Sequence, residues 1–173
     1  PISFLHEVLS PKGFNASQIR DIFRSLSSSQ SGKRFFTTEW EVLRDREYLW
    51  IQKKGSSQLI PELIMEEVER TPSFVIPRDK HIACLDADKL NHPLTIRKWE
   101  RGDKFIPLGM NGKKKVSDYL TDKKFSLFQK ENQYVVCSGE DIVWLVNERT
   151  DHRYRITDST QRILLIKIKK DGQ

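Results

Sequence analysis

Arg97 to Leu120, RKWERGDKFIPLGMNGKKKVSDYL, is the stretch on which the fold turns. It leaves a short apolar run, Leu94 to Ile96, passes glycines at 102, 109 and 112, and enters a segment from about Lys113 to Lys123. There Val116, Tyr119 and Leu120 fall on one helical face. Around it the apolar residues come in further runs of strand length: Phe74 to Ile76, Ile82 to Leu85, Tyr134 to Cys137, Ile142 to Val146 and Ile163 to Ile168. One helix among many short strands predicts an α+β domain, strand-rich and layered, whose strand order periodicity does not give. Glu62, Glu66, Glu67 and Glu69, set among Leu63, Ile64 and Val68, read as the exposed face of a packed element.

The chain before it is patterned differently. Phe4, Leu5, Val8 and Leu9 follow helical spacing from Ser3 to Leu9, and Pro11 and Gly13 stop that helix. Asn15 with Gln18 three residues on forms a capping box for a second helix. Its Ile19, Ile22, Phe23 and Leu26 make one apolar stripe, read as core. Ser27 to Gly32 is a polar connector, and Arg34 to Thr38 with Tyr48 to Gln52 read as a two-stranded hairpin. Lys53 to Gln58, KKGSSQ, is the linker. The expected organisation is a short helical segment, residues 1–54, and a strand-rich domain with one or two helices, residues 55–173. There is no internal repeat.

Hydrophobic residues at 37% and charged residues at 31% of 173 are a folded composition. Cys84 and Cys137 lie far apart without a C-x-x-C spacing, which predicts neither disulfide nor zinc site and suits a reducing compartment. No apolar run approaches the ~20 residues of a membrane span, and no leader pattern opens the chain. A cytoplasmic protein with no membrane partner is expected. The start at Pro1, without methionine, is expected of a piece of something longer.

The net charge is +6, and between Arg97 and Lys124 nine basic residues stand against four acidic ones. Such a face is the footprint of a polyanion, because neutralising phosphates releases condensed counterions. Lys113, Lys114 and Lys115 follow Gly109-Met110-Asn111-Gly112 and are read in the helix's first turn, where they oppose its dipole and call for an anion. Arg97, Lys98, Arg101 and Lys104 add charge around Trp99, and Lys123 and Lys124 close the helix. Contacts of this kind position a nucleic acid without reading its sequence. The competing reading is a lysine-rich face turned to water. Trp99 is read as half-buried packing, and Asp103 as a residue that holds a basic side chain or caps the turn after Gly102.

Other motifs fail on spacing. Ser31-Gly32-Lys33 lacks the earlier glycine and strand of a P-loop, and Gly109-x-x-Gly112 alone is a weak sign of a KH loop. His6, His81, His92 and His152 show no metal spacing, and no nucleophile–base pair stands out. No catalytic and no metal residue is therefore assigned.

The run from Ile96 to Met110, followed by Lys113 to Leu120, closely resembles the carboxy-terminal domain of tRNA(Ile)-lysidine synthetases. That family has an arginine, a Gly-Asp-Arg/Lys-Phe-x-Pro-Leu-Gly element and a lysine-rich helix in this order. Ile142 to Trp144 with Arg149 is similar to the family's tryptophan strand and following arginine. Gly13-Phe14-Asn15, Ser31-Gly32-Lys33 and Arg44 to Ile51 resemble the end of its helical middle domain. Lys124-Phe125-Ser126 departs from the usual lysine, aliphatic, proline, and Asn147-Glu148 stands where a glycine often precedes the arginine. The resemblance implies a carboxy-terminal fold shared with part of phenylalanyl-tRNA synthetase. It also implies a ligase that adenylates the wobble cytidine of isoleucine tRNA with ATP and magnesium and lets lysine displace AMP. The family's S-G-G-x-D-S catalytic loop is not in this sequence, so these residues alone are expected to be inactive. They would bind the tRNA, through Arg97, Lys98, Arg101, Lys104, Lys113, Lys114, Lys115, Lys123, Lys124 and Arg149. Homodimerisation stays open. So do two other readings, a free-standing nucleic-acid-binding domain and a protein-interaction module with a basic helix.

Overall fold

Asn15 starts the helix it was expected to start. Its side chain accepts from the Gln18 amide at 2.9 Å, while the Gln18 side chain accepts from the Asn15 amide at 3.0 Å. Helix α1 (Ile2–Leu9) runs into a single 3-10 turn at Ser10–Lys12, ended by Gly13 at φ +83°. Helix α2 (Ala16–Leu26) buries Ile19, Ile22 and Ser25. Leu5, Leu9, Phe14 and Val42 complete that core. The expected stripe is therefore half right: Phe23 and Leu26 are 41% and 40% exposed, because only residues spaced three apart meet the covered face.

Three strands follow rather than two: β1 (Lys33–Phe36), β2 (Trp40–Asp45) and β3 (Tyr48–Lys53), an antiparallel meander in the order β1-β2-β3. The unexpected β2 is the central strand and the most buried. It escapes compositional reading because Glu41, Arg44 and Asp45, types depleted in strands, occupy it. Each finds a partner: Glu41 takes Arg34 Nη1 at 2.5 Å, Arg44 donates from both Nη atoms to the carbonyls of Ser28 and Gln30 while its buried Nε makes no hydrogen bond among the described residues, and Asp45 accepts from Ser31 Oγ at 2.7 Å. Residues 1–54, expected as the end of a helical domain, thus carry a three-stranded sheet beside their helices.

The structure, a computed structural model, describes residues 2–55 and 59–170; Ser56, Ser57 and Gln58 of the expected linker lie outside them. Its contacts divide the chain into two compact units, Pro1–Leu59 with Ser126–Lys130, and Ile60–Phe125 with Glu131–Gln173.

In the second unit, β4 (Leu63–Glu69), β5 (Ala83–Asp86) and β12 (Arg162–Ile168) form an antiparallel sheet in the order β4-β12-β5. A four-stranded sheet, β11-β10-β9-β6, uses β6 (Thr95–Lys98), β9 (Tyr134–Ser138), β10 (Asp141–Leu145) and β11 (Arg149–Thr150). A ribbon pairs β7 (Lys104–Phe105) with β8 (Lys114–Lys115). Helix α3 is Val116–Asp122, and a second short helix, α4 (Leu127–Glu131), falls largely among the residues grouped with the first unit.

Two cores explain why β9 up to Cys137 and β10 from Ile142 carry unbroken apolar runs. Val136, Val143 and Trp144 pack with Leu85, Leu164 and Ile166 on one face. Val135, Cys137, Ile142 and Leu145 pack with Phe105, Val116 and Leu120 on the other. A sheet covered on both sides leaves no polar alternation to read. The glutamate-rich residues 63–69 are an edge strand, with charge where an edge needs it. Phe74 to Ile76 is not a strand; Val75 is 82% exposed. Both cysteines are free thiols. Among the described residues no helix is long and apolar enough to cross a membrane.

Candidate nucleic-acid interface

The ribbon β7–β8 sets the geometry of the basic segment. Its register places Lys104 directly opposite Lys115, and Phe105 opposite Lys114. Phe105 is fully buried and meets Tyr119 edge-on at 5.5 Å, which anchors one face of the ribbon in the core. Side chains alternate along a strand, so Lys104 and Lys115 share the other face, where both are exposed. Like charges directly opposite on paired strands destabilise the pair. Neither lysine has an ion-pair partner among the described residues, and the same holds for exposed Arg101 and Lys113.

This arrangement corrects the reading of the lysine run as a helical first turn. Lys114 and Lys115 are strand, Lys115 is only the N-cap at φ −64°, ψ 137°, and the first turn carries Asp118. The ladder to Lys104 and Phe105 holds these residues extended, and the Val116 amide donates to the Asp103 carbonyl at 2.9 Å. Lys114 is paired with Asp122 at 2.5 Å. The local electrostatic strain comes from the facing lysines, not from a helix dipole.

Asp103 does both things expected of it. Its carboxylate takes both Arg97 guanidinium nitrogens, at 2.8 and 3.0 Å, and the Glu100 amide at 2.8 Å. Burial raises its pKa, but the bonds from Arg97 and Glu100 outweigh that and leave it below the ordinary carboxylate value. The Arg97 guanidinium is held still more firmly protonated by its bond to Asp103. Arg97 is therefore committed to the turn and is a scaffold residue first.

The remaining basic residues are spread over neighbouring elements. Lys98 lies over the Tyr134 ring at 6.0 Å and Lys123 over Tyr119 at 5.7 Å. Lys124 takes φ +58° in a Schellman turn closed by Lys124 N to Thr121 O and Phe125 N to Leu120 O. Arg149 donates to the Leu108 carbonyl at 3.2 Å. Trp99 is half-buried against the α3 core, as read.

Sequence reasoning missed the group that fixes the Ile106 to Met110 loop. Asp151 is fully buried and accepts from the Ile106 amide at 2.8 Å and from the Arg153 amide and guanidinium at 2.9 to 3.0 Å. Arg153 also reaches Asp141 at 3.1 Å, and Asp141 accepts from the Tyr154 hydroxyl at 2.7 Å. That bond, foremost, lowers the Asp141 pKa, while burial pushes Tyr154 up to about 12. Gly109, at φ +87°, turns the loop so that its amide donates to His152 Nδ1 at 3.1 Å. Asp-His-Arg-Tyr has no periodic or spacing signal that would have revealed this. Among the described residues no group of three or more His, Cys, Asp or Glu side chains is placed to hold a metal ion.

Two family models match the chain: TilS substrate binding domain over residues 1–54, and TilS substrate C-terminal domain over residues 94–166. It is 54% identical over 171 residues to the tRNA(Ile)-lysidine synthase of Bacteroides thetaiotaomicron, covering 97% of this chain and 40% of that protein. With the Parabacteroides distasonis tRNA(Ile)-lysidine synthase it shares 43% identity, over 96% of this chain and 41% of the relative. The chain thus spans about two fifths of the length of these relatives. The fold is also that of a crystal structure of a TilS C-terminal domain, at TM-score 0.55 and 19% identity, over 64% of this chain and 85% of the other. Both matched domains and the relatives' names agree with the resemblance carried by residues 96–120: the chain belongs to the tRNA(Ile)-lysidine synthase family.

Proposed function

We propose that this chain is the tRNA-holding part of a tRNA(Ile)-lysidine synthase. Its partner is the isoleucine tRNA with an unmodified wobble cytidine. ATP with magnesium and the lysine substrate are handled by the remaining length that the relatives possess. The S-G-G-x-D-S loop is not in this sequence, and among the described residues no group of side chains is placed to hold a metal ion. In the whole enzyme, acting in the cytoplasm, the reaction is adenylation of the cytidine followed by displacement of AMP by lysine. These residues alone do not catalyse it.

The observation that carries the proposal is the Lys104–Lys115 pair. Two exposed ammonium groups fixed opposite each other by backbone pairing, with Arg101 and Lys113 close in sequence, lower stability unless an anion lies between them. Phosphates of a nucleic-acid backbone supply it. Lys98, Lys123, Lys124 and Arg149 widen the same charged surface, with Arg97 and Lys114 in support.

Replacing both lysines together (Lys104→Ala with Lys115→Ala) tests this by titration of tRNA over several salt concentrations. Loss of two phosphate contacts is expected to weaken any tRNA and to flatten the log-log salt slope by roughly two. Folding should be unimpaired, since the repulsion is removed. An unchanged slope in a folded variant would exclude the ribbon as the phosphate site.

A further inference from the structure

Where the β7–β8 loop meets β11 the second unit holds a cleft of about 310 Å³. One wall is the irregular segment 76–82, the other is Leu108 with β11, and Cys84 and Trp144 lie between. This is the lower end of the size range of small-ligand sites. Ile76 and Leu108 expose 47% and 41% of their surface across it, an apolar lining left open to solvent in an otherwise charged neighbourhood.

Its rim carries three cations, Arg78, Lys80 and Arg149, and two carboxylates, Asp79 and Glu148. Asp79 accepts from the His81 amide at 2.9 Å. Lys80 is taken up by Glu148 at 3.1 Å. Arg78 is exposed and has no ion-pair partner among the described residues. Arg149 is also exposed, and its bond to the Leu108 carbonyl fixes the guanidinium at the rim while leaving nitrogens for a second acceptor. Arginine's planar fork suits a phosphate.

The cleft is continuous with the proposed RNA face. Leu108 lies in the loop, residues 106–113, that joins β7 to β8. Arg149 and Lys123 both act on Tyr119 of α3, the former on its hydroxyl and the latter on its ring. An RNA strand following the lysines arrives at this rim.

We propose that the cleft takes one unpaired nucleotide of the bound RNA. The base lies against Ile76, Ile82 and Leu108, and its phosphate lies between Arg78 and Arg149. A base already stacked and paired in a duplex cannot enter; recognition of this kind uses nucleotides free to be splayed out. The inference rests on the tRNA reading and adds to it a site for a single-stranded nucleotide.

The test uses the full chain and two probes, a single-stranded RNA tetranucleotide and a blunt-ended RNA hairpin whose fully paired stem is closed by a non-nucleotide linker. Leu108→Trp fills the cleft from an exposed position and leaves the backbone bonds of residue 108 to Thr150 and Arg149 in place. It is expected to weaken the tetranucleotide roughly tenfold, the scale of one base contact, and to leave the hairpin unchanged. Arg78→Ala should likewise weaken the tetranucleotide more than the hairpin. The double alanine variant at Lys104 and Lys115 should weaken both probes. Tetranucleotide binding unaffected by either cleft substitution, or an equal loss for both probes, overturns the cleft site while the ribbon reading stands. If the unaltered chain binds neither probe, the RNA reading fails and the cleft with it.

Discussion

Asp151→Ala should be the most damaging single substitution near the proposed interface. The carboxylate is fully buried, and four donors converge on it: the amides of Ile106 and Arg153, and Nε and Nη2 of Arg153. Its removal leaves the Ile106 amide without its acceptor, at about 1 to 3 kcal/mol. It also breaks an ion pair whose acidic member is inside the protein, a class of change that costs about 3 to 5 kcal/mol. Arg153 retains Asp141 at 3.1 Å, so the two costs do not add in full, and about 3 kcal/mol is the expected loss. With a urea dependence of about 1 to 3 kcal/mol per molar, the unfolding midpoint should drop by about 1 M or more. The β7–β8 loop loses its anchor at the same time, so tRNA affinity should fall even where the variant is fully folded. The companion variant Asp151→Ala with Arg153→Met removes the cation that has lost its buried partner and should recover part of the stability. A single variant within about 0.5 kcal/mol of the unaltered chain, the range of ordinary surface changes, would refute the assignment of Asp151 as the anchor.

Two further outcomes are expected. Asp103 and Asp141 have pKa values below the ordinary 3.8, so the stability that they contribute is present above that value and is lost as pH falls through their depressed ones. Melting temperature followed from pH 5 to 2 should fall below about pH 3.8, and Asp103→Asn should remove part of that dependence; an identical profile in the variant would contradict it. Asn15→Ala removes the acceptor for the Gln18 amide and should cost about 1 kcal/mol in urea unfolding, with no effect on tRNA affinity.

Of the candidate site, the sequence made the residue types legible but not their geometry. Nine basic residues between Arg97 and Lys124, and the likeness of residues 96–120 to one family, are properties of the chain in order. The placement of Lys113 to Lys115 in a helix was an inference from local pattern, and a non-local ladder to Lys104 and Phe105 overrode it. Four residues shared between two strands are too short a run to announce a ribbon.

What local sequence determines are features whose energy is local: the Asn15–Gln18 capping box, the stop at Gly13, and the apolar runs that become β9, β10 and β12. What only tertiary structure decides depends on partners distant in the chain. Strand β2 can carry Glu41, Arg44 and Asp45 in its interior because Arg34, Ser28, Gln30 and Ser31 come to meet them. Asp151 can be buried because the Ile106 amide, 45 residues away, closes on it beside the local bonds from Arg153. Buried polar groups are tolerated only when their bonds are made, and whether they are made is a property of the fold.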